Sequence, residues 1–109
     1  MNTRFTYLYR DASNWKNWGE IIVSGWRNDA EERLKKTLDY GEFFIADQVN
    51  IPQKFFATID DDDHCWHEFH SLEKTDQEAN DSRTIDELLT AFEKVAQSEM
   101  GWHEYFRVA

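Results

Sequence analysis

Cysteine is nearly absent. Cys65 is the only one, so no internal disulfide can form and a reducing, cytoplasmic setting is the expected location. Pro52 is the single proline, and Gly19, Gly25, Gly41 and Gly101 are the only glycines, so few positions interrupt regular structure. Basic residues are scarce as well: 12 Lys and Arg face 22 Asp and Glu, a formal charge of −10. A protein that tracks phosphates needs a basic footprint, so direct nucleic-acid binding is not expected. No apolar run approaches the roughly 20 residues that span a bilayer. The opening Met1-Asn2-Thr3-Arg4 has no apolar h-region, so neither a membrane association nor a secretory signal is expected. Gly-rich phosphate loops, GxSxG, CxxC and HExxH are all missing, and no cofactor is expected.

In their place the chain holds rings. Its 109 residues suit one domain, and five Trp, four Tyr and eight Phe outnumber Leu, Ile and Val together. A core can be built from such side chains, each burying about 150–250 Å². Disorder is excluded despite the acidity.

Periodicity places the elements. Phe5, Tyr7 and Tyr9 share one face of a strand while Leu8 lies opposite, which predicts burial on both sides for part of its length. Glu20 to Ser24 reads as a second strand, joined to the first as a hairpin through the turn-rich Asp11 to Asn17. Asn28 with Glu31 three residues on reads as a capping box for a helix buried through Ala30, Leu34 and Leu38 and closed by Gly41. Phe43-Phe44-Ile45 suits a third strand, and Pro52 makes Asp47 to Lys54 a loop. Phe55 to Ile59 reads as a short strand or buried turn. From His64 to Leu72 strict alternation puts Cys65, His67, Phe69 and Ser71 on one face and Trp66, Glu68, His70 and Leu72 on the other. Glu73 to Arg83 reads as a solvated connection. Thr84 and Glu87 form a second capping box, before a helix whose stripe is Ile85, Leu88, Leu89, Phe92, Val95 and Ala96. Three further aromatics in Trp102 to Val108 predict a tail docked on the body. The expected fold is α+β, an antiparallel sheet of about four to five strands with two helices packed on it.

Charge is unevenly spread. Residues 1–27 carry Arg4, Arg10, Lys16 and Arg27 against Asp11 and Glu20, whereas residues 58–109 carry the whole excess of acid. Such a surface either steers onto a basic partner or keeps a ring-rich protein soluble. Trp15 and Trp18 lie in or beside the predicted hairpin loop, where Arg10, Lys16 and Arg27 would make a mildly basic aromatic patch. These two tryptophans and Asp60, Asp61, Asp62 and Asp63 are the candidate interface.

The alternative site is the same acidic run together with the histidines and cysteine next to it. His64, Cys65, His67 and His70 with the aspartates mix imidazole, thiolate and carboxylate, a donor set suited to zinc. The spacing is against it, because on a strand His64 and His70 point away from Cys65 and His67. The Asp run also lacks the Gly and terminal Glu of an EF-hand loop. Cys65 beside His67 is the one local candidate for nucleophilic catalysis, and a free cysteine is more often a small buried hydrophobe.

Phe5-Thr6-Tyr7-Leu8-Tyr9-Arg10-Asp11-Ala12-Ser13-Asn14, Gly41-Glu42-Phe43-Phe44-Ile45, Gln48-Val49 and Trp66-His67-Glu68-Phe69 together resemble a family of small uncharacterised proteins of bacteria and their mobile elements. That resemblance carries no activity and transfers no residue role. It implies that the Tyr9 to Lys16 turn and the Trp66 to His70 strand belong to one architecture. In it, Arg10 and Asp11 would pin the loop, and His67 with Glu68 would satisfy polar groups beneath.

Three readings fit these residues. The chain is a non-enzymatic inhibitor or sequestering protein for a basic protein partner, of an immunity, antitoxin or anti-defence kind. Or it is a metal-binding protein or metal-dependent hydrolase built on Asp60 to His70. Or it is a homo-oligomeric accessory protein, with a dimer formed through a sheet edge or the tail. The first is the expectation.

Overall fold

A computed structural model describes residues 1–11, 13–55 and 64–103. They form β1 (Asn2–Arg10), β2 (Lys16–Val23), α1 (Ala30–Lys35), β3 (Phe43–Ile45), a 3-10 turn (Ala46–Val49), β4 (Trp66–Thr75) and α2 (Ile85–Gln97). The sheet runs β2-β1-β4-β3 with every pairing antiparallel, and the fold is α+β as expected. No described helix is long and apolar enough to cross a membrane.

β1 is the centre, because it pairs with a neighbour on each side along most of its length. Its Phe5 and Tyr7 share a face with Ile21 and Val23 of β2, and both helices lie on that face. Ala30 and Leu34 of α1 and Ile85, Leu88, Leu89 and Phe92 of α2 join the same buried cluster. Burying each such large side chain contributes about 1.5–3 kcal/mol. Leu8 lies on the opposite face yet is only 4% exposed, flanked in register by Trp18 and Glu68. The predicted two-sided burial is therefore real, and both described helices lie on the other face.

The strict alternation predicted for β4 fails at one residue. Register passes from Thr6 opposite Ser71 to Tyr7 opposite Phe69, which leaves His70 as the extra residue of a β-bulge. Phe69 and Leu72 thus both face the core, and Leu72 does not share a face with Trp66, Glu68 and His70. β4 also runs on to Thr75, through part of the stretch read as a solvated connection. Glu73 is held by Arg4 at 3.8 Å, Lys74 lies over the Trp26 ring at 5.4 Å, and Thr75 is buried. β1 begins correspondingly early, at Asn2, where buried Thr3 donates its hydroxyl to the Gly25 carbonyl at 2.6 Å.

The rest of that connection closes an edge. Asn80 accepts the Ile22 N–H through Oδ1 at 2.8 Å, and its own N–H donates to the Ile22 carbonyl at 3.0 Å. It satisfies β2 there as a further strand would. Arg83 then clamps the 3-10 turn, donating to the carbonyls of Val49 (2.6 Å) and Asn50 (3.0 Å) while it pairs with Asp81 at 2.9 Å. The guanidinium holds the Asp81 carboxyl below the usual carboxylate range.

α2 starts where its sequence requires. Thr84 Oγ1 accepts the Glu87 N–H and Glu87 Oε1 accepts the Thr84 N–H, both at 3.1 Å. The box expected at Asn28 does not form. α1 is capped at Asp29 without a side-chain bond, because Asn28 accepts from the Trp26 indole and Asp29 takes the Arg27 fork. Beyond α2, Trp102 packs its ring on Phe44 and Phe92 and donates its indole N–H to Thr37 at 2.6 Å, so the tail docks as far as it is described. The predicted element at Phe55 to Ile59 lies outside the described residues after Phe55.

Gly19 is a place where only hydrogen fits. A Cβ there would lie 2.7 Å from Tyr7 Cζ and 2.7 Å from Lys54 Cε. Lysine can swing aside, but the buried Tyr7 ring is tied through its hydroxyl to the Pro52 carbonyl at 2.6 Å. Gly19→Ala is expected to destabilise by about 1–3 kcal/mol, the cost of overpacking. A urea titration showing no loss would mean that Tyr7 is not held against this strand.

Candidate protein-binding surface

The hairpin joining β1 to β2 is built by its own side chains. The Asp11 carboxylate accepts the N–H groups of Ser13 (3.0 Å) and Trp15 (2.9 Å), and Asn14 takes the left-handed conformation at φ 69°. Arg10 donates to Asn14 Oδ1 and reaches across β4 to Glu68 at 2.7 Å and 3.3 Å. Arg10 and Asp11 therefore pin this loop. It presents Trp15 with 70% of its surface exposed, and Trp18, a little further along β2, with 49%. Trp18 rests edge-on against His70 at 5.0 Å between ring centroids. His70 reaches the outer face by simple alternation from the inward Phe69.

The basic character expected around these rings is not there. Arg10 is matched by Glu68, and Arg27 by Asp29 (2.8 Å) and Asp86 (2.9 Å). Hydrogen bonds to these carboxylates push both guanidiniums further toward the charged form. Lys16 alone of the three has no ion-pair partner among the described residues. Arg4 is shared between Glu20 at 3.2 Å and Glu73 at 3.8 Å. Three of the four basic residues in the first 27 are thus paired, Arg4, Arg10 and Arg27 each with at least one acid from outside that segment.

The His64–His70 stretch divides its candidate ligands. His67 is fully buried, accepting the Lys54 N–H on Nε2 at 3.0 Å and placing Nδ1 3.1 Å from the Cys65 carbonyl. Both ring nitrogens are occupied by backbone, so neither is left for a metal or for the Cys65 proton. Burial lowers the His67 pKa to about 4, which keeps the ring neutral. His64 accepts the Trp66 N–H at Nδ1 (3.0 Å), Cys65 is buried, and His70 lies exposed on the other face beside Ser71. Among the described residues no group of three or more His, Cys, Asp or Glu is placed to hold a metal ion. Asp60, Asp61, Asp62 and Asp63 lie outside the described residues. Of the two residues expected to satisfy polar groups beneath the loop, His67 satisfies backbone inside, while Glu68 pairs with Arg10 on the outer face.

One surface feature is not legible in the sequence. Asp39, Tyr40, Phe43, His64 and Trp66 line an open groove of about 320 Å³ beside β3. At its edge lies a two-residue turn in which Tyr40 (φ 52°) and Gly41 (φ 72°) are both left-handed, closed by the Glu42 N–H donating to the Asp39 carbonyl at 3.1 Å. The Tyr40-Gly41 pair before an apolar run is the only local signal, and it equally suits the helix end expected at Gly41. The other half of the groove comes from a strand more than twenty residues away, which no local pattern links to it. Compared with known proteins, the chain matches no family model, no curated protein and no solved structure.

Proposed function

We propose that this chain is a small acidic, non-enzymatic protein that binds a basic protein partner in the cytoplasm and inhibits or sequesters it, in the manner of immunity, antitoxin or anti-defence proteins. The observation that carries the reading is the exposure of Trp15, on a loop held by Asp11, Arg10 and Asn14, and of Trp18 beside it on β2. A chain with ample rings for its core has left two tryptophans outside it, and Trp is the residue most enriched at binding hot spots. Pre-organisation favours them further, because little conformational freedom is lost on docking. The −10 charge supplies attraction at a distance and raises the association rate toward a cationic surface.

Co-purification with the tagged full chain is the test. Recovery of one basic protein in stoichiometric amount is expected, weakened by salt. The double variant Trp15→Ala, Trp18→Ala is expected to lower the affinity by about 30-fold or more, as loss of a hot spot does. Recovery of chaperones alone at low salt, or a partner that holds the double variant equally well, would refute the reading.

A further inference from the structure

The groove beside β3 has an aromatic lining and one carboxylate. Phe43 and Trp66 stand 6.5 Å apart between centroids and are inclined at 71°, edge to face, so they form an aromatic corner. Tyr40 flanks them, 89% exposed, and His64 completes the lining with Nδ1 committed to the Trp66 amide. Asp39 is half-buried there, and its carboxylate has no hydrogen-bond or ion-pair partner among the described residues.

Each class of occupant can be weighed against that lining. A purely apolar group would strip water from Asp39 and return nothing, and an anion would be repelled by it. A cation is attracted both by the ring faces and by the carboxylate. Between the two cationic side chains, guanidinium is flat and weakly hydrated. It stacks on rings while its edge forks onto a carboxylate, whereas an ammonium keeps its water more tightly. Tyr40 adds an independent sign. A bulky residue at φ 52° is held in a region where Asn or Gly would be at ease, and its ring, so largely exposed, gains little packing among the described residues to offset the strain.

We propose that this groove receives an arginine side chain of the partner, its guanidinium stacked on the aromatic lining and forked onto Asp39. The proposal deepens the reading of the chain as a binder of a basic protein and rests on it for the source of the arginine. The net charge of the molecule complements that occupant.

The test uses a minimal probe. Isotope-labelled full chain is titrated with the blocked peptide acetyl-Gly-Arg-Gly-amide, and in parallel with the same peptide carrying citrulline, which keeps the shape and removes the charge. Saturable shifts are expected at the amides of Asp39 to Phe43 and at Trp66, with the citrulline peptide about tenfold weaker or worse. Asp39→Asn and Tyr40→Asn are each expected to weaken the arginine peptide several-fold, with the spectrum of the core unchanged; asparagine suits the left-handed turn position, so the second variant keeps the fold. Equal shifts with citrulline, or saturation at residues away from the groove, would overturn the proposal. Trp15→Ala, Trp18→Ala is expected to bind the peptide as the parent does. Failure of the groove with a captured partner still lost in that double variant would leave the binding reading standing. Peptide binding without any partner would do the reverse.

Discussion

Lowering the pH from about 7 to about 4 is expected to remove roughly 3 kcal/mol of folding stability through His67 alone. The ring is fully buried, and burial takes its pKa down to about 4 from an ordinary value of 6.5. Below pH 6.5 the unfolded chain takes up a proton that the folded chain refuses, so each further pH unit favours unfolding by about 1.4 kcal/mol. The effect is absent above pH 6.5, accumulates down to about 4 and then levels off, because the folded ring finally accepts the proton as well. Asp81 and Asp29, whose carboxyls are held low by arginine, add losses of the same sign. They act below the ordinary carboxylate range, mostly outside this window. His67→Gln separates the two contributions: an amide offers a donor and an acceptor but does not titrate. Urea titrations across the interval should show the parent converging on the variant as the pH falls. A parent-minus-variant difference that stays constant would remove His67 as the cause.

Phe5→Ala is expected to cost about 3–5 kcal/mol, a large part of the roughly 5–15 kcal/mol that stabilises an ordinary domain. Phe5 lies on the central strand, and its ring meets Phe44 of β3 (5.7 Å), Phe69 of β4 (5.4 Å) and Phe92 of α2 (5.8 Å), with Tyr7 beside it at 5.6 Å. Truncation takes away the transfer energy of the ring and leaves a hole between layers that the surrounding rings, fixed by their own strands and helix, can fill only in part. Phe5→Leu keeps most of the volume and is expected to lose clearly less. Chemical denaturation of the two variants checks this. A loss below about 1 kcal/mol for alanine would mean that the layers do not meet at Phe5.

The fold is legible in the sequence where local chemistry and tertiary burial agree. Thr84 with Glu87 starts a helix in any context that tolerates one, and the Ile85, Leu88, Leu89 and Phe92 stripe leaves one way to bury it. Phe5, Tyr7 and Leu8 announce a central strand in the same way. Legibility fails where a neighbour decides. Lys16, Asn17 and Glu73 to Thr75 are strand residues because β1 offers them a ladder, which composition does not record. Asn28 has the right side chain for a cap and spends it on Trp26. The exposure of Trp15 and Trp18 can be read from their place at a turn, whereas Asp39 and Trp66 meet only through the pairing of β3 with β4.

The bulge at His70 makes the length of β4 a question of parity. Before it, odd-numbered residues such as His67 and Phe69 point inward; after it, the even-numbered Leu72 does. Loss of that extra residue would close the ladder, with Ser71 following Phe69, Leu72 still opposite Phe5 and Glu73 still opposite Arg4, whereas a second inserted residue must swell the bulge or carry Leu72 out into water. Drift in chain length is therefore absorbed at this point in one direction: the strand can give up a single amino acid here and keep both halves of the sheet in phase.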